Sequence, residues 1–103
     1  MKVIWDFKAK AGRDQIATYI NRQFGRKRKL AFLQEVRQTT TLLKSNPYIG
    51  ALDPLLANRS IPYRSIIING LSKMVYNVKD ETIRIAAFWD TRCEPRSQAN
   101  NIK

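Results

Sequence analysis

Hydrophobic and polar positions change period twice along this chain. Val3, Trp5 and Phe7 alternate with Lys2, Ile4 and Asp6, the period of a short strand with one buried face. The repeat then lengthens. Ile16, Ile20 and Phe24 recur every four residues, with Ala9, Ala17 and Tyr19 alongside, which predicts an amphipathic helix from about Ala9 to Phe24 stopped by Gly25. Leu30, Leu33, Val36, Thr40 and Leu43, with Phe32 beside them, form the stripe of a second helix from about Lys27 to Leu43. Asn46-Pro47 ends it, because proline pushes the preceding residue out of the α region. Helices separated by one or two residues make an antiparallel hairpin. Pro47, Gly50, Pro54 and Pro62 break regular structure over residues 47–62, yet Leu52, Leu55 and Leu56 must pack somewhere, so this stretch reads as a docked loop.

Alternation returns in the last third. Asn69-Gly70 between two apolar runs is the signature of a two-residue hairpin turn, whose central residues both need positive φ. That turn sets Ile68 opposite Leu71, Ile66 opposite Lys73 and Arg64 opposite Val75. A second turn at Asp80-Glu81 sets Lys79 opposite Thr82, Asn77 opposite Arg84 and Lys73 opposite Phe88. Directly opposed side chains share a face. One face therefore carries Ile67, Met74, Tyr76, Val78, Ile83, Ile85, Ala87 and Trp89 and reads as core. The other mixes Arg64, Lys73, Asn77 and Arg84 with Ile66, Val75, Ala86 and Phe88. The expected fold is α+β in the order β-α-α-β-β-β: a helical hairpin on one face of a small, mainly antiparallel four-stranded sheet, with the basic face left open.

Composition narrows the function. A chain of 103 residues supports one domain, 1–103, that buries roughly two-thirds of its unfolded surface. Nineteen basic against eight acidic residues give a net charge of +11, which implies a polyanionic or acidic partner. The first fifty residues hold eleven of the cations and three of the acids. Their extreme is Arg26-Lys27-Arg28-Lys29, at a helix N-terminus whose dipole favours the opposite sign. Cys93 is the single cysteine and there is no histidine, so no intrachain disulfide, activated thiol or zinc site is expected, and no cofactor. No apolar run approaches a membrane span, and a cytoplasmic, membrane-free protein is the default expectation.

The open face then becomes a candidate for phosphate chemistry. Arg64 and Lys73 are diagonal neighbours in the expected register, about 7–8 Å apart, within reach of one phosphate. Arg84 lies about 13 Å further along, and Arg92 follows the last strand. Cleavage of RNA by its own 2′-hydroxyl needs a base, an acid and a group that stabilises the phosphorane. Arg64, Lys73 and Arg92 are the candidates to bear on the scissile phosphate, and Asp90 is the nearest carboxylate. Arg84, the Arg26–Lys29 run and the Phe88 ring would hold nucleic acid, with Tyr63 at the edge.

Trp5, the Ile16–Ile20 stretch, Leu43-Lys-Ser-Asn-Pro47 with Gly50, Pro62-Tyr-Arg-Ser65, Met74-Val-Tyr-Asn-Val78 and Phe88-Trp-Asp-Thr-Arg92 with Pro95, in this order, resemble the RelE/ParE superfamily of bacterial toxins. The resemblance implies a small type II toxin neutralised by an acidic antitoxin. RelE-like members cut mRNA in the ribosomal A site with basic sheet residues, and Arg64, Lys73 and Arg92 match those positions. This implies a ribosome-dependent mRNA endoribonuclease with ribosome and mRNA as partners. The 93–103 tail departs from that branch, holding neither tyrosine nor histidine. The alternatives are a ParE-like, non-enzymatic poison of DNA gyrase, or a degenerate toxin that only binds its antitoxin.

Overall fold

The first strand ends one residue pair earlier than its alternation implies. In the computed structural model, which describes residues 1–70 and 72–91, β1 runs Lys2–Trp5. Phe7 already opens a helix, where it is 85% exposed. Asp6 joins the two, and its backbone N–H donates to the Ile85 carbonyl at 2.9 Å. Helix α1 spans Phe7–Phe24 and α2 spans Arg26–Ser45, both slightly longer than predicted. Gly25 alone separates them, at φ 93°, a conformation that only glycine adopts freely. Among the described residues, no helix is long and apolar enough to cross a membrane.

The remaining strands are β2 (Ala51–Leu52), β3 (Arg64–Ile68), β4 (Ser72–Lys79) and β5 (Thr82–Asp90). They form a five-stranded sheet in the order β1-β5-β4-β3-β2. The α+β class with two helices on the sheet agrees with the sequence reading, but the sheet is mixed and has five strands rather than four. β1 runs parallel to β5, and the other pairings are antiparallel. β2 escapes the pattern because two residues between Gly50 and Asp53 have no period to read. It pairs only with Arg64 and Ser65, so the Ile66–Ile68 stretch of β3 extends past it, with Ile67 54% exposed.

Two local irregularities rewrite the predicted faces. Asn69 and Gly70 do adopt positive φ, 58° and 68°, but Ile68 pairs with Ser72, so three residues separate the strand ends instead of two. The slip of one residue sets Arg64 opposite Tyr76 and Lys73 opposite Ile67, on opposite faces of the sheet. The Asp80-Glu81 turn closes as predicted, with Lys79 opposite Thr82 and Asn77 opposite Arg84. A bulge then interrupts the ladder: Tyr76 pairs with Ile85, whereas Val75 pairs with Ala87. Beyond it Lys73 meets Trp89, and Phe88 turns inward beside Met74.

The main core lies between helices and sheet. Ala9, Ala17, Ile20, Phe32, Val36 and Leu43 pack on Ile68, Met74, Tyr76, Ile83, Ile85 and Phe88. The Phe88 ring meets Phe32 edge-on at 5.9 Å and lies nearly parallel to Trp5 at 6.3 Å. A smaller cluster covers the opposite face, where Leu56 and Tyr63 from the 53–63 loop pack on Val75, Ala86 and Ala87. The face expected to be open is therefore largely roofed.

Helix α1 reaches β5 so closely that a Cβ on Gly12 would overlap the Phe88 carbonyl oxygen. Alanine normally gains about 1 kcal/mol over glycine inside a helix. Here the obstacle is backbone, which cannot swing aside, so Gly12→Ala is expected to destabilise by about 1–3 kcal/mol. A lowered denaturant midpoint at unchanged m-value would register it; a raised midpoint would refute the close packing.

Candidate functional site

Lys73, Arg64 and Arg84 of the predicted site sit on strands, and each is engaged by a different neighbour. Lys73 projects from β4 toward the loop that roofs the sheet, where its ammonium lies 2.9 Å from the Asp53 carboxylate. The side chains are 14% and 1% exposed, so this is a buried ion pair. Trp89 covers it from the neighbouring strand, with the ammonium 5.5 Å from the ring centroid. Asp53 also fixes its own loop: Oδ1 accepts from the Leu55 N–H at 2.9 Å, and its backbone N–H donates to the Tyr63 carbonyl. Asp53-Pro54 is a turn-capping pair legible in sequence, but nothing there reveals its tie to Lys73.

Arg64 lies across the sheet from Lys73. Its guanidinium donates to the carbonyls of Gly50, at 2.8 Å, and Tyr48, at 3.3 Å, and stacks over the Tyr48 ring at 5.2 Å. The same segment is held from below, where the Tyr76 hydroxyl accepts from the Gly50 N–H at 2.9 Å. Burial pushes the Tyr76 phenol above its ordinary pKa, which the Gly50 bond and the nearby Arg64 charge offset only in part. Arg64 and Tyr76 thus clamp the entry to β2. Neither was legible as a clamp, since the expected register put them on opposite faces.

Arg84 remains on the face predicted for it, 43% exposed at the side chain. It donates to the Tyr63 hydroxyl at 3.2 Å and lies 3.4 Å from the Asp6 carboxylate. Phe88 is 2% exposed and presents no ring for a base to stack on. Asp90 pairs with Ser72 on the helical side, away from Lys73. Arg92 and Cys93 lie outside the described residues. The structure therefore does not gather Arg64, Lys73 and Asp90 around one point. A cleft of about 420 Å³ opens beside the loop, lined mainly by apolar groups together with Asp53, Arg59 and Tyr63. Asp53 is held by Lys73, and the Tyr63 hydroxyl accepts from Arg84.

The Arg26–Lys29 run occupies the first turn of α2. No side chain caps this helix and its first turn holds no acid. Arg26, Lys27 and Arg28 are exposed and Lys29 is half-buried, with Arg28 stacked over Phe24 at 5.3 Å. Among the described residues no carboxylate forms an ion pair with any of the four. Each cation opposes the helix dipole at a cost of about 0.3–1 kcal/mol.

Comparison with known proteins agrees with this fold. The family described as the ParE toxin of type II toxin-antitoxin system, parDE, matches residues 3–94. A solved structure described as the chromosomal ParDE TA system from P. aeruginosa superposes with a TM-score of 0.69. It is 22% identical and the match covers 87% of this chain and 95% of that one, a likeness of fold. No curated protein matches significantly.

Two measurements test the geometry. Asp53→Ala leaves Lys73 buried without its counter-charge and is expected to cost about 3–5 kcal/mol, whereas replacing both by apolar residues of similar volume costs far less. A double-mutant cycle with no coupling between the two would remove the ion pair from the account. The Tyr76 phenol holds its proton more tightly folded than unfolded, so its contribution is complete below the unfolded value of about 10 and is lost as pH rises through the folded one. Tyr76→Phe should flatten the alkaline fall in melting temperature relative to wild type. At neutral pH it should cost about 1–3 kcal/mol, because the Gly50 N–H loses its acceptor.

Proposed function

This chain belongs to the ParE family of type II toxins, and on that premise we propose that it poisons DNA gyrase without catalysing a reaction of its own. The observation that carries this reading is the family match, which spans residues 3–94. The site supports it independently. A ribosome-dependent nuclease needs several groups converging on one phosphate. Arg64 and Lys73 instead project from opposite faces and spend their charge on Tyr48, Gly50 and Asp53. Cleavage of mRNA, first in order when the sequence is read by itself, thus has less support than its gyrase alternative.

In this reading Arg64 and Lys73 act through the fold, as the clamp and the ion pair that hold the 48–56 segment against the sheet. The partners are gyrase and a cognate antitoxin, acidic to match a toxin of net charge +11. Antitoxin binding and gyrase poisoning draw on surface shape and charge, and neither needs Arg64 and Lys73 to converge on one phosphate.

The purified toxin should inhibit gyrase-catalysed supercoiling, and its induction should arrest growth with a DNA-damage response while messages stay intact. Arg64→Ala and Lys73→Ala should weaken inhibition in proportion to their lowered melting temperatures. Cuts inside translated codons, with supercoiling unchanged, would overturn the proposal in favour of the nuclease. Absence of growth arrest, with antitoxin binding retained, would leave only the degenerate toxin.

A further inference from the structure

We propose that the tip of the helical hairpin, Arg26-Lys27-Arg28-Lys29 with Arg22 beside it, docks into the major groove of double-stranded DNA by gripping the phosphates on its two walls. The charge is concentrated as well as large. No Asp or Glu occurs between Asp14 and Glu35, and all five cations of that interval fall within residues 22–29. They are not carried on a loose loop. Gly25 is the sole residue between two helices that pack along each other, so the charges are fixed to the end of a rigid element.

Their arrangement selects the partner. Consecutive residues of an α-helix point about 100° apart, so Arg26, Lys27, Arg28 and Lys29 radiate around the whole circumference of α2. Helical side chains also tilt toward the N-terminus, which sweeps all four past the tip. A flat acidic surface or a membrane would meet only some of them. A groove with a row of phosphates on either side meets the exposed Arg26, Lys27 and Arg28 together, with the half-buried Lys29 behind them. The end of α2 alone, about 10–12 Å across, matches the B-DNA major groove, about 12 Å wide. So α2 enters while the end of α1 packed beside it, with Arg22, stays at the groove's rim. The A-form RNA groove is too deep and narrow to admit it. Uncapped backbone N–H groups at the same end add to the attraction for anions.

The run also violates the local rule that helix N-termini favour acids, and such violations concentrate at functional positions. Contacts of this kind fix position and carry no sequence preference. The inference rests on the gyrase reading, since gyrase presents duplex DNA to whatever binds it, and it gives the toxin a hold on that DNA beside its hold on the enzyme.

Fluorescence anisotropy with a mixed-sequence 20-base-pair duplex, read from 50 to 200 mM salt, tests the tip on the full chain. The fourfold Arg26→Gln, Lys27→Gln, Arg28→Gln, Lys29→Gln variant should bind at least about tenfold more weakly at 100 mM salt, with the salt slope reduced by about 2–4. Arg26→Lys with Arg28→Lys should bind within about threefold of wild type, because backbone contacts read charge. Melting temperature should hold or rise in the fourfold variant, whose helix no longer opposes its dipole. An unchanged slope, single-stranded RNA competing as well as duplex, or a loss confined to antitoxin binding would each overturn the proposal. Supercoiling assays separate it from the gyrase reading. A wild type that inhibits no better than the variant defeats the tip alone, whereas a wild type that binds duplex through the tip but leaves gyrase untouched defeats the gyrase reading.

Discussion

A buried carboxylate holds the second layer of this molecule in place. Asp53 has almost no solvent of its own, and the Lys73 ammonium is what keeps its charge tolerable. Through that pair the loop after β2 becomes a roof over Val75, Ala86 and Ala87, and a two-layer fold acquires a third, partial layer. Ion pairs of this kind add little net stability compared with apolar packing, but they penalise any arrangement that separates the partners. The position of the roof, and with it the exposure of the sheet behind the helices, follows from that penalty.

Much of the fold is legible in the sequence because long helices repeat their signal. Ile16, Ile20 and Phe24, then Leu33, Val36 and Leu43, give several turns of evidence each, and both helices form where the period predicts. The meander is legible as far as its elements and its Asp80-Glu81 turn. Its faces are not. A hairpin loop of two residues and one of three carry the same Asn-Gly signature, and the bulge at Val75/Tyr76 has no signature of its own. Because strand parity has period two, each single-residue change moved every side chain beyond it to the other face.

The candidate site inherits that error. Arg64 and Lys73 look like a working pair only if they share a face, and the three-residue loop separates them. Phe88 looks like a stacking platform only without the bulge, which hands the outward position to Trp89. Their real neighbours, Tyr48, Gly50 and Asp53, lie in the one segment whose tertiary position no periodicity encodes. The hairpin tip suffers no such ambiguity. A run of consecutive cations on a helix points in all directions whatever the register, so most of it is exposed, as Arg26, Lys27 and Arg28 are, and only Lys29 turns partly inward.

The parallel pairing of β1 with β5 has a consequence in time. β1 is completed by β5, the strand most distant from it in sequence, and β5 is also the floor on which α1 and Phe32 rest. During synthesis the helical hairpin therefore emerges before the strand that α1 packs on most extensively, and that part of the core waits for residues 82–90. Helices of this length are only marginally stable without tertiary contacts, and closing contacts this distant in sequence is slow. A partner that recognises the folded surface therefore has its full target only once β5 is in place.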